Sequence, residues 1–126
     1  MYKRQDLYLY KVEHVVKVID GDTVDVIIDL GFGIHVLKRV RLLQIDTHEL
    51  RGGTKETKAL AREAKAIVER TLEDADEIYV RTELDKTGKY GRVIGTFIVY
   101  DPTERELHEI IKADLDSNGD SRLVKD

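Results

Sequence analysis

The sequence predicts a mainly β fold with helices: a five-stranded barrel, one helix between the third and fourth strands, and a C-terminal helix. Three observations carry that expectation. Residues 12–45 hold three runs of strand character separated by short glycine-containing turns, the pattern of an antiparallel meander. Residues 55–73 switch to apolar residues at three- and four-residue spacing. Residues 77–100 then return to strand character around one glycine-containing loop.

Each element has a local reason. VEHVVKVID (12–20) is rich in β-branched residues, which suit a pleated strand. Asp20-Gly21-Asp22 breaks the run as a turn. In residues 23–30, Val24, Val26, Ile28 and Leu30 face one way and Thr23, Asp25, Ile27 and Asp29 the other. Gly31 and Gly33 mark the next turn, and residues 34–45 form the third strand. Thr54 is the expected N-cap of a helix whose apolar side is Leu60, Ala61, Ala64, Ile67, Val68 and Leu72. Strands at 77–84 and 92–100 flank a loop with Gly88 and Gly91, and residues 103–114 read as a second helix with Leu107, Ile110 and Ile111 on one side. Three strands, helix, two strands, helix is the order of an OB-fold, the five-stranded barrel of the oligonucleotide-binding type. One domain over residues 1–115 followed by an acidic tail at 116–126 is the expected organisation.

Composition sets limits on function. With 126 residues, 41% hydrophobic and 37% charged, the chain reads as a globular protein with a modest core rather than a disordered one. It has no cysteine, which excludes disulfides and thiolate metal sites. There is no apolar run long enough to span a membrane, and no signal peptide opens this chain. A cytosolic location is therefore expected, or a secreted one if a leader has been removed. The net charge of −4 is unevenly placed: residues 101–126 carry eight acidic and four basic side chains, the first hundred residues seventeen of each. A neutral body argues against nucleic acid as a tightly held partner, but less against nucleic acid as a substrate, where local charge matters more.

Polar residues gather at strand ends. Asp22 closes the first turn, Arg41 lies late in the third strand, Asp46, Thr47 and Glu49 follow it, and Arg92 opens the last strand after GKYG. Each has an ordinary reading: a tight turn at 20–22, a cap at 46–47, a snorkelling strand arginine, a hairpin loop at 89–92. Together they form a chemical set. Two Asp can converge on a hard cation such as Ca²⁺, which takes carboxylate and carbonyl oxygens. Two Arg can clamp a phosphate with planar, bidentate donors. A Glu beside them can position or deprotonate a water. Phosphodiester hydrolysis needs such a set, because negative charge grows on the phosphoryl oxygens and fixed cations stabilise it.

Three segments, VIDGDTV (18–24), RLLQIDTHE (41–49) and KYGR (89–92), resemble in order the signature segments of the staphylococcal nuclease, or thermonuclease, family. The resemblance covers roughly residues 12–115. It implies an OB-fold barrel with helices that cuts DNA and RNA with Ca²⁺ and leaves 3′-phosphate ends. Carried onto this chain, it gives Asp22 and Asp46 as carboxylate ligands and Thr47 as a carbonyl ligand of the metal. Glu49 matches the acid that holds the attacking water, as base or as positioner. Arg41 and Arg92 match the phosphate-binding arginines, and Lys89 and Tyr90 match residues that flank the nucleotide. The chain departs from the family pattern at His48, where Pro is usual, and at its end, where no third helix or aromatic pair is evident.

One further stretch, DLDSNGD (114–120), places Asp114, Asp116, Asn118 and Gly119 at positions 1, 3, 5 and 6 of a calcium loop. Position 12 is Lys125, where a bidentate Glu belongs, so a helix end followed by an Asn-Gly turn is the favoured reading. The expected function is a Ca²⁺-dependent endonuclease acting as a monomer on DNA or RNA. The alternative is a non-catalytic nucleic-acid-binding module on the same barrel, which would have no need of paired Asp, Glu49 and two Arg together.

Overall fold

Alternation in the second strand becomes an inside and an outside. Val24, Val26 and Ile28 are buried, while the residues between them are only partly covered. The computed structural model describes residues 8–42, 53–83, 92–100, 104–107 and 109–110, with Arg92 described by its backbone alone. The strands are β1 (Leu9–Asp20), β2 (Thr23–Gly31), β3 (Ile34–Leu42), β4 (Glu77–Glu83), β5 (Arg92–Tyr100) and β6 (Glu104–Glu106), with helix α1 (Lys55–Asp74) between β3 and β4. The sheet runs β3-β2-β1-β4-β5-β6, and β3 also pairs with β5. That last pairing, parallel between Arg39–Leu42 and Arg92–Gly95, closes the first five strands into a barrel. The five-stranded barrel of the sequence reading is present, with a short sixth strand added.

β1 has to serve two neighbours. It pairs with β2 from Lys11 to Asp20 and with β4 from Leu9 to Lys11. Register shifts at Val12/His14, Val15/Lys17 and Val18/Asp20 mark irregularities that let so long a strand bend round the barrel. The interior is filled by Val18, Val24, Val26, Val40, Leu42, Val80, Phe97 and Val99, and the apolar side of α1 packs on the same cluster through Leu60, Ala64, Ile67, Val68 and Leu72. Helix α1 starts as expected. Thr54 is the N-cap; its Oγ1 accepts from the Thr57 N–H at 3.2 Å, and the Thr54 N–H donates back to Thr57 Oγ1 at 2.9 Å.

The C-terminal part corrects the expectation. A helix was predicted from residue 103, but Glu104–Glu106 forms β6, antiparallel to Ile98–Tyr100 of β5. The cause is an unsatisfied strand edge. β5 pairs with β3 only as far as Gly95, so the backbone groups of Ile98–Tyr100 on that side need partners, and the returning chain supplies them. Helical conformation begins at Leu107, which is buried as predicted, as is Ile110. The expected helix beyond Ile110, the calcium-loop-like stretch 114–120 and the acidic tail lie outside the described residues, as does the predicted end of the third strand beyond Leu42.

Candidate active site

The β1–β2 turn brings Asp22 to the end of β3. The Leu42 N–H donates to the Asp22 carbonyl at 2.8 Å, and Thr23 pairs with Arg41. This register makes neighbours of two residues nineteen positions apart. Asp22 is a buried carboxylate, 4% exposed. A buried charge must be hydrogen-bonded or paired, and both occur here. Thr23 Oγ1 donates to Asp22 Oδ1 at 3.0 Å, and Arg41 Nη2 lies 3.6 Å from Asp22 Oδ2. The second distance is an ion pair rather than a tight hydrogen bond. Arg41 also donates from Nη1 to the Leu42 carbonyl at 3.2 Å, which orients the guanidinium at the strand's end while 27% of the side chain stays open to solvent.

The parallel β3–β5 pairing brings in the second arginine position. Arg92 is the register partner of Arg39, and Arg41 lies two residues further along β3, opposite Ile94. Positions 41 and 92 therefore stand roughly 8 Å apart on adjacent strands, a separation two arginine side chains can bridge to one phosphate. Gly95 is what allows β5 to lie this close. A Cβ there would stand 2.9 Å from Val80 Cγ2, 3.0 Å from the Arg81 carbonyl and 3.3 Å from Val40 Cγ1.

Sequence reasoning passed over Thr23, whose hydroxyl holds Asp22, and the pair Asp25–Arg39. Arg39 grips Asp25 with two hydrogen bonds, Nε to Oδ1 at 2.8 Å and Nη2 to Oδ2 at 3.1 Å. The hydrogen bond first, and the Asp25 charge second, hold the Arg39 guanidinium above its already high pKa. Asp25 thereby offsets a cation that sits directly beside the Arg92 position. The signal was present in the alternation, since Asp25 and Arg39 are both outward-facing, but only the register shows that they are opposite each other.

Asp46, Thr47, His48, Glu49, Lys89 and Tyr90 lie outside the described residues, as does the side chain of Arg92. Among the described residues no cluster of three or more His, Asp or Glu could hold a metal. What they contribute to such a site is one buried carboxylate with a hydroxyl and a guanidinium on its oxygens. The segment that follows Leu42 at this point carries Asp46 and Glu49. The ligands that the resemblance implies, Asp22, Asp46 and the Thr47 carbonyl, would offer oxygen alone, a set that suits a hard cation and not a soft one.

A cleft of about 610 Å³ lies elsewhere, between β1 and the C-terminal end of α1. Glu13, Glu69, Glu73, Asp76 and Glu77 line it together with Lys11 and Lys17, and the helix's negative dipole end adds to the acidic excess. Its net acidic lining suits phosphate less well than the Asp22–Arg41 end of the barrel does.

A family model of staphylococcal nuclease homologues matches residues 39–119. The chain belongs to the staphylococcal nuclease family. Membership points to a nuclease or a nucleic-acid-binding module. The matched segment includes Arg41, Asp46, Thr47, Glu49, Lys89, Tyr90 and Arg92. Asp22 lies before it and is paired with Arg41 inside it. No curated protein matches the chain. No helix among the described residues is long and apolar enough to cross a membrane.

Proposed function

We propose that this chain is a Ca²⁺-dependent nuclease that hydrolyses DNA, and RNA as a further substrate, to 3′-phosphate products. The observation that carries the reading is the buried Asp22 carboxylate set against Arg41 at the end of β3, with Asp46, Thr47 and Glu49 following in the next few residues. Asp22, Asp46 and the Thr47 carbonyl would hold the ion. When bound, Ca²⁺ supplies positive charge against the phosphodiester oxygens. Arg41 and Arg92 grip the same phosphate and stabilise the charge that grows on it. Glu49 orients the attacking water or takes its proton. As the water oxygen bonds to phosphorus, the bond from phosphorus to the 5′-oxygen breaks, and the phosphate stays on the 3′ side. Lys89 and Tyr90 flank the nucleotide. A neutral body suits a substrate that must be released.

End-group analysis tests the reading. Plasmid and single-stranded DNA incubated with the full chain and Ca²⁺ should yield fragments with 3′-phosphate and 5′-hydroxyl ends. Fragments with 5′-phosphate ends would contradict the assigned bond cleavage. Intact DNA, retained by the chain in a binding assay, would favour the non-catalytic module.

A further inference from the structure

The register lays one row of ionic residues across four strands. Lys17 of β1 stands opposite Asp25 of β2, Asp25 opposite Arg39 of β3, and Arg39 opposite the Arg92 position of β5. The row holds three cationic positions to one acidic, in a body whose first hundred residues are neutral. Directly opposed residues share a face of the sheet. Arg41 is on the same face of β3 as Arg39, two residues further along and about 7 Å away. One nucleotide of an extended strand can cover that step.

Asp25 holds Arg39 as a phosphate would. Nε donates to Oδ1 at 2.8 Å and Nη2 to Oδ2 at 3.1 Å, the fork that a guanidinium presents to carboxylate and phosphate alike. The Arg39 side chain is 54% exposed, so this ion pair contributes little in water. Such a pair gives way readily to a phosphate, whose contact releases counterions. Asp25 keeps a cation beside it after the exchange, because Lys17 is its register partner on β1. We propose that Arg39 is a second phosphate subsite, one nucleotide from the phosphate held by Arg41 and Arg92, and that Asp25 occupies its fork until nucleic acid displaces it. The inference rests on the proposed nucleic-acid site at the Asp22–Arg41 end and extends it along the strand. Arg39 would grip the bound strand equally before and during reaction, so it contributes to KM more than to kcat.

A charge-balanced double variant is the test. Asp25→Asn with Arg39→Gln removes one charge of each sign and leaves the net charge of the full chain unchanged. Binding of a short oligothymidylate is measured in chelator over a series of salt concentrations. The double variant should bind about threefold or more weakly, and its slope of log K against log salt should be shallower by about 0.7, the loss of one phosphate contact. Asp25→Asn alone should bind more tightly than wild type, since Arg39 then has no competitor. In Ca²⁺ the double variant should raise KM and change kcat less. Both variants should melt near wild type, because the pair is exposed. A double variant with wild-type affinity, slope and KM would overturn the subsite, and Ca²⁺-dependent cleavage by that variant would leave the nuclease reading standing. A wild type that binds no oligonucleotide, with Ca²⁺ or without, would overturn both.

Discussion

Asp22 shows how one residue can be cheap in sequence and costly in structure. Within Asp-Gly-Asp it looks like a turn former, yet it is buried and shares its charge with Arg41. Its neighbour is the more testable partner. Arg41→Lys keeps the charge but loses the planar fork, and so does Arg92→Lys. Each should lower turnover about a hundredfold or more, the scale for losing one transition-state donor. Arg41→Lys should also cost more stability, because Arg41 is tied to Asp22 and to the Leu42 carbonyl inside a strand. Near-normal kcat in both variants would remove the clamp. Glu49→Gln separates chemistry from binding. It should cut kcat while Ca²⁺ affinity, read by calorimetry, stays close to wild type. A Gln variant that loses Ca²⁺ instead would make Glu49 a ligand. At this scale the sequence was informative where residue types are rare in their setting, as with an arginine inside an apolar strand. It was silent on Thr23 and on Asp25–Arg39, which are ordinary residues made significant by register alone.

Elements were legible where burial is one-sided. The alternation of β2 and the helical spacing of α1 both record a single buried face, and both elements fall within a residue of their predicted bounds. β6 was missed for the opposite reason. Glu104-Arg105-Glu106 carries no apolar pattern, and its conformation is imposed by the open edge of a strand several residues away. The β3–β5 closure was equally hidden, since parallel pairing between elements fifty residues apart leaves no local mark. Gly95 is its local requirement. Gly95→Ala drives a methyl against the Arg81 carbonyl and Val80, and the backbone cannot yield cheaply. The expected cost is about 1–3 kcal/mol, seen as a melting temperature lower by roughly 5–15 °C. Because β5 carries Arg92 against β3, turnover should fall as well, measured well below the melting range. An Ala variant as stable as wild type would mean that β5 does not approach β4 and β3 this closely.

At the scale of the whole molecule, the barrel is a frame that brings three separate described segments to one end. The β1–β2 turn supplies Asp22, the end of β3 supplies Arg41, and the start of β5 lies beside it. The segment following Leu42 supplies the remaining acids in sequence. The family match runs from Arg39 to Gly119 and takes in the end of β3, α1, β4, β5 and β6, while β1, β2 and Asp22 lie before it. The claim at the centre of the account is that two carboxylates on different segments act together only through a cation, since otherwise they repel each other. The direct measurement is DNA cleavage by the full chain after exhaustive chelation and again after Ca²⁺ is restored, with Asp22→Ala alongside. The account predicts no cleavage in chelator, recovery on adding Ca²⁺ to the wild type, and little recovery in the Asp22→Ala variant. Undiminished cleavage with all metal removed would contradict it.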